Sequence, residues 1–154
     1  MTTAADTASI PASLGLPPAD QIGLVVRNLD DAMRLYEPLF GPFEVVEGTV
    51  TAAQYRGHTA DCHLRCAFGR SGALEVELVE WVWGESPHRD FLDSGREGMQ
   101  HIRFPVRNIG EWIEKAQQFG YQTVWYKQWS PEMTFAYMER PGDPTLIEFM
   151  QTVA

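Results

Sequence analysis

Positive charge is scarce in this chain. Twelve Lys and Arg stand against 21 Asp and Glu, a net charge of −9. That deficit speaks against nucleic acid or an anionic membrane surface as the main partner, although local positive charge in a cleft can still hold an anionic small molecule. Cysteine is scarcer still, with only Cys62 and Cys66. They lie too close on one strand-like stretch for an unstrained disulfide, so reduced thiols and a cytoplasmic setting are expected. The run Cys62-His63-Leu64-Arg65-Cys66 has poor zinc spacing and is set aside as a metal site. No stretch approaches the ~20 continuous apolar residues of a transmembrane helix. The first residues have neither the basic start nor the apolar run of a secretory signal. Residues 1–18, rich in Ala, Thr, Ser and Pro and ending at Pro17-Pro18, read as a mobile arm.

What the chain does have is the same pattern twice. Gln21-Ile22-Gly23-Leu24-Val25-Val26-Arg27-Asn28 returns as His101-Ile102-Arg103-Phe104-Pro105-Val106-Arg107-Asn108. An amphipathic segment follows each copy and stops at a glycine, Gly41 or Gly120. In the first, Asn28 or Asp30 can cap a helix to about Phe40, with Ala32, Leu35, Tyr36 and Leu39 on one stripe. In the second, a helix near 109–119 buries Ile109, Trp112, Ile113 and Ala116. Strands are expected near 43–47, 61–68 and 73–82 in the first copy, and near 121–127, 133–139 and 145–151 in the second. A polar stretch from Gly84 to Gly98, with a short helix around Arg89 to Leu92, joins the two. The expected organisation is an arm over 1–18, a first βαβββ module over 19–83, a linker over 84–98 and a second βαβββ module over 99–154. Two copies point to a pseudo-twofold pair rather than a solenoid.

Strand alternation turns this repeat into a site. If Ile22, Leu24 and Val26 pack under the first helix, Gln21 faces the other way. By the same logic His101 and Arg103 face away from Ile102, Phe104 and Val106. Glu77 and Glu148 oppose Val76/Leu78 and Ile147/Phe149. A lone carboxylate in an apolar strand usually lies on a solvated outer face. Here both glutamates fall in the closing strands of matching modules, and Gln21 matches His101 in the opening strands. Two carboxylates on one concave face require a cation or an open, wet cleft, and a divalent metal would satisfy them.

On these residues the chain resembles the vicinal oxygen chelate superfamily, which includes glyoxalase I, methylmalonyl-CoA epimerase, extradiol dioxygenases and the fosfomycin and bleomycin resistance proteins. Gly98-Met99-Gln100-His101-Ile102 is similar to the family's Gly-x-His-His-Ile segment. Leu146-Ile147-Glu148-Phe149 and Val76-Glu77-Leu78-Val79 are similar to its glutamate strands. The resemblance spans about residues 19–152 and is nearest the epimerase-like branch, because of the helix-bearing linker. It implies an α+β fold of two βαβββ modules forming a curved mixed sheet around a metal-binding cleft, with helices on the outer face. It implies one divalent ion (Zn, Co, Ni, Mn or Mg) on Gln21, Glu77, His101 and Glu148. It also implies a homodimer, with the ion held within one chain or shared across two. Glutamine replaces the more usual first histidine, as in some glyoxalase I enzymes, and speaks against extradiol dioxygenase chemistry.

The implied function is a metal-dependent isomerase or epimerase acting next to a carbonyl through a metal-stabilised enolate, with Glu148 or Glu77 moving the proton. The alternatives are a glyoxalase I-like lyase and a non-catalytic small-molecule binder. The substrate would be an acyl-thioester or a 2-oxo compound. His58, near the place of the epimerase's second glutamate, is a candidate acid/base. Arg103 is a candidate for a substrate carboxylate or phosphate, and Trp83, Trp125 and Trp129 for an aromatic pocket.

Overall fold

The computed structural model describes residues 13–152; most of the expected N-terminal arm, residues 1–12, lies outside them. The chain runs β1 (Gln21–Val26), α1 (Leu29–Phe40), β2 (Glu44–Tyr55), β3 (His58–Ser71), β4 (Leu74–Gly84), α2 (Pro87–Asp93), β5 (Gly98–Val106), α3 (Ile109–Gln117), β6 (Gln122–Ser130), β7 (Met133–Glu139) and β8 (Leu146–Thr152). The repeated βαβββ order is present, with α2 in the linker. Among the described residues no helix is long and apolar enough to cross a membrane.

The eight strands close into a barrel in the order β1-β4-β3-β2-β6-β7-β8-β5. The two modules meet where β1 and β5 pair antiparallel, with Gln21 opposite Arg103, Ile22 opposite Ile102 and Gly23 opposite His101. Each opening strand also pairs in parallel with the closing strand of its own module, β1 with β4 and β5 with β8. The pseudo-twofold axis therefore passes beside the Ile22–Ile102 pair.

Three apolar clusters follow from strand alternation. Leu24, Val26, Val76 and Leu78 pack beneath Leu29 and Ala32 of α1. Val106, Ile147 and Phe149 pack beneath Ile109 and Ala116 of α3. The third fills the barrel interior, with Tyr55, Cys62, Leu64, Val79, Trp125, Phe135 and Tyr137.

Helix α1 starts at Asn28, whose side chain accepts from the Asp31 N–H at 2.9 Å. Its buried stripe is turned from the expected one. Leu29 and Ala32 are buried and Met33, Tyr36 and Phe40 pack beside them, while Leu35 and Leu39 are more than 60% exposed. Leu29 at the helix start, where Glu80 caps its N–H at 2.6 Å, sets that rotation. The expected stripe of α3 is the observed one.

The largest departure from the sequence expectation is β2 and β3. They form one long hairpin across 44–71, where two shorter strands, near 43–47 and 61–68, are expected. Its turn is Arg56-Gly57, both with positive φ, the conformation of a tight two-residue hairpin. A bulge between Val50 and Ala53, with Ala52 at φ 53°, breaks the alternation that would have marked the strand.

This hairpin closes the barrel. Only Gln54–Tyr126 and Tyr55–Trp125 pair across β2 and β6. The seam is strengthened by side chains at the turn. Arg56 makes a two-point pair with Glu139 at 2.8 and 3.1 Å and reaches Asp90 at 3.1 Å. The Tyr55 hydroxyl donates to the Asp90 carboxylate, and the Arg56 N–H to Val124 O at 3.0 Å. Removing the guanidinium by Arg56→Ala is expected to raise amide hydrogen exchange at 54–56 and 124–126 at least tenfold, while amides of β1 and β5 stay protected; exchange read by mass spectrometry checks this.

Candidate metal centre

The strands bring Gln21, Glu77, His101 and Glu148 to one point inside the barrel. His101 Nε2 lies 3.0 Å from Gln21 Oε1, 3.4 Å from Glu148 Oε1 and 3.6 Å from Glu77 Oε1. Gln21, His101 and Glu148 are buried, and Glu77 is nearly so. Alternation explains the convergence, since each apolar neighbour is committed to a helix-covered face.

Gly23 creates the room. A Cβ at this position would stand 1.9 Å from His101 Cε1, so the imidazole occupies space that any other residue would fill. A glycine inside a strand is the sequence signal for such a close approach. On the far side of the ring, His101 Nδ1 lies 2.9 Å from Gln100 Oε1. With the ring proton on Nδ1, Nε2 is the lone-pair nitrogen and faces three oxygens.

Gln21 is oriented by Glu75, whose Oε1 accepts from Gln21 Nε2 at 2.7 Å. Tyr137, directly across from Glu148 in the β7–β8 register, sets its ring 5.0 Å from that of His101. Its hydroxyl lies 3.5 Å from His88 Nε2, and Ser86 holds His88 Nδ1 at 3.2 Å. Sequence reasoning did not single out Gly23, Glu75, Gln100, Tyr137 or His88. Alternation of Phe135 and Tyr137 toward the interior could have found the tyrosine, whereas His88 in the linker helix carries no such signal.

Burial governs the charge states. It raises the Glu77 carboxyl to about 7 against the pull of Arg103, and Glu75 pushes it the same way. It raises Glu148 well above an ordinary glutamate, with Glu77 adding to the effect and Arg103 opposing it. It lowers His101 well below an ordinary histidine and His88 to about 3, so both rings are neutral at physiological pH. The close His101–carboxyl contacts are therefore not ion pairs despite their distances, because the imidazole is neutral.

The donor chemistry fits a divalent ion. An amide oxygen and two carboxyl oxygens lie 3.0–3.6 Å from one imidazole nitrogen, a donor set of the kind that holds a divalent ion. One proton can relieve only one of the three acceptor contacts at Nε2, whereas one cation relieves all of them. Among the described residues no three His, Cys, Asp or Glu side chains already surround a common centre.

The remaining sequence candidates lie elsewhere. His58 is half exposed at the start of β3, with Nε2 3.0 Å from Glu85. Trp83 is exposed and stacks on His63, and Trp129 is exposed beneath Lys127. Trp125 is buried in the barrel interior, and its Nε1–H has no acceptor there. Arg103 is on the cleft side but is engaged by Asp20 at 2.9 and 3.3 Å and by Glu75 at 3.5 Å. Glu77, Glu148, Gln21 and His101 form the cluster; His58, Trp83 and Trp129 stand outside it.

The raised carboxyl pKa values fix the sign of a pH effect. Folded Glu77 keeps its proton up to about 7, whereas an ordinary glutamate loses it near 4.5. That contribution to stability is full below 4.5 and is lost as pH rises to about 7, with Glu148 extending the loss upward. In chelator, the melting temperature is expected to fall between about pH 5 and 8, and the Glu77→Gln/Glu148→Gln protein is expected to show a flatter profile; calorimetric scans across pH check it. Gly23→Ala is expected to displace His101, weakening divalent-ion binding more than tenfold and costing ~1–3 kcal/mol of stability, as read by titration calorimetry and denaturant melts.

Comparison with known proteins bears on the family and the fold. The Glyoxalase/Bleomycin resistance protein/Dioxygenase superfamily profile matches residues 20–137. The uncharacterized protein YqjC of Bacillus subtilis (strain 168) is 27% identical over 95 residues, covering 62% of this chain and 61% of that one. The match therefore spans less than two thirds of that relative's length. The methylmalonyl-CoA epimerase of Mycobacterium tuberculosis superposes with a TM-score of 0.63 at 19% identity, covering 94% of this chain and 93% of that one. A Streptomyces coelicolor methylmalonyl-CoA epimerase in complex with 2-nitronate-propionyl-CoA gives 0.63 at 20% identity, covering 91% and 97%. These structural likenesses concern the fold, while the profile match covers most of the chain: this protein belongs to the Glyoxalase/Bleomycin resistance protein/Dioxygenase superfamily.

Proposed function

We propose that the protein is a divalent-metal-dependent isomerase or epimerase that moves a proton on the carbon beside a carbonyl. The observation that carries this reading is the convergence of Gln21, Glu77 and Glu148 oxygens on the lone-pair nitrogen of His101. When bound there, the ion supplies Lewis-acid polarisation of the substrate carbonyl. The residues supply the rest. Gln21 and His101 are neutral donors, so they hold the ion without adding charge. Burial raises the ion-free Glu77 carboxyl to about 7, and a cation beside it favours the carboxylate, the form that takes a proton.

In the proposed reaction a Glu77 carboxylate oxygen takes the proton, the C–H bond breaks, and its electron pair moves toward the carbonyl oxygen. Return of a proton from Glu77 or Glu148 restores the C–H bond. No atom is gained or lost, as isomerisation requires. The unpaired Trp125 Nε1–H lies in the barrel interior beside Phe135 and Tyr137 and is a candidate donor for a substrate oxygen. Acyl-thioesters are the first substrate class to test, because an epimerase of the same fold is known in complex with a propionyl-CoA derivative.

The test is solvent-deuterium uptake into recovered methylmalonyl-CoA and a panel of 2-oxo acids, followed by mass spectrometry. Uptake is expected with ion-loaded protein, to stop with chelator, and to fall about 10²–10⁴-fold in Glu77→Gln. Full uptake in chelator, or wild-type turnover by Glu77→Gln, overturns the mechanism. Consumption of the methylglyoxal–glutathione hemithioacetal without deuterium uptake in the panel replaces it with a lyase.

A further inference from the structure

Three of the four donor groups present the right atom without outside help or with help already described. A carboxylate offers oxygen on either side, and Gln100 sets the tautomer of His101. Gln21 is different, because a planar amide turned by half a revolution offers NH2, which cannot ligate a cation. Something must hold Oε1 toward the cluster.

The strand register places that support beside it. Gln21 lies opposite Glu75 in the β1–β4 ladder and opposite Arg103 in the β1–β5 ladder. Glu75 Oε1 is 2.7 Å from Gln21 Nε2 and 3.5 Å from Arg103 Nη2. Arg103 is fixed in turn by Asp20, through Nε at 2.9 Å and Nη2 at 3.3 Å. The backbone closes the same group, with Asp20 N donating to Arg103 O at 3.0 Å and Glu75 N to Asp20 O at 2.9 Å. Arg103 is only 17% exposed at its side chain, so its guanidinium is committed to these two acids.

We infer that Glu75 is a positioning residue that fixes the Gln21 amide with its oxygen toward His101, and that Arg103 holds Glu75 in that role rather than binding substrate. This rests on the metal reading of the cluster. Asp20, Glu75 and Arg103 thereby act together to present the correct face of a side chain that has two. A carboxylate at position 21 would have no wrong face and would not need Glu75.

The experiment is Co²⁺ titration by calorimetry of the full chain in two backgrounds, with melting curves confirming folded protein. Glu75→Leu is expected to weaken Co²⁺ binding about 10–100-fold, the usual cost of losing an outer-shell partner. Glu75→Gln, which keeps a carbonyl acceptor, should recover most of it. In the Gln21→Glu background the sign should reverse: Glu75→Leu should leave affinity unchanged or improve it, because the second carboxylate is then only a like-charge neighbour. Arg103→Gln should show a loss with Gln21 present and none in Gln21→Glu, which keeps the comparison available if Glu75→Leu does not fold.

Wild-type affinity in folded Glu75→Leu, or an equal loss in both backgrounds, overturns the inference and leaves the metal centre standing. In the Arg103 arm, an equal loss in both backgrounds does the same. No Co²⁺ binding by the wild-type protein overturns the metal reading itself, and the inference with it.

Discussion

The antiparallel contact of β1 with β5 around Ile22 and Ile102 is the constraint on which the rest depends. It joins the two modules into one sheet, and it places Gln21 and His101, 80 residues apart in sequence, in hydrogen-bond distance. The two cross-strand neighbours differ. His101 faces Gly23, whose missing side chain receives the ring, and Gln21 faces Arg103, which supports the carboxylate that orients the amide. The same backbone relation is thus used twice, once by subtraction and once by addition. Two copies of one fold pattern thus meet in an asymmetric site, because the residues facing Gln21 and His101 differ.

The electrostatic demand of the cluster is set by what surrounds it. Two buried carboxyls share a compartment with neutral imidazoles, a buried tyrosine and Cys66, whose thiol burial pushes far above its ordinary range. Arg103 draws both carboxyls toward ionisation, but its donors are already taken by Asp20 and Glu75. The carboxyls of such a compartment are neutralised either by their own protons or by a cation held between their carboxylates. Proton and ion occupancy are therefore opposed, and under the proposed function ion uptake would release protons.

Much of this was legible in the sequence because alternation is a strong rule when one face is covered. Ile22, Leu24 and Val26, and their counterparts Val76, Leu78, Ile147 and Phe149, left one direction open for Gln21, Glu77 and Glu148. The supporting groups were less legible for different reasons. Alternation puts Glu75 on the same face as Glu77, but its partner is visible only from the parallel β1–β4 register. The β2–β3 hairpin was hidden by its bulge and by polar residues on both faces. The rotation of α1 turned on Leu29, which precedes the stripe suggested by Leu35 and Leu39. Arg103 was correctly assigned a face, but strand periodicity cannot say that Asp20 and Glu75 occupy it.

The narrow seam between β2 and β6 has a consequence for solubility. A closed sheet has no terminal strand, and so no ready template for another chain to extend. Because only Gln54 and Tyr55 bridge to β6, however, β2 runs from Glu44 to Val50 without a partner on that side. Val45 and Val46 are exposed on this stretch, and Glu44 and Glu47 flank them. Glu44 is of the charged kind that disfavours strand addition by a second copy, whereas the Glu47 carboxylate is already engaged by Arg65 at 3.0 Å and His63 at 2.9 Å.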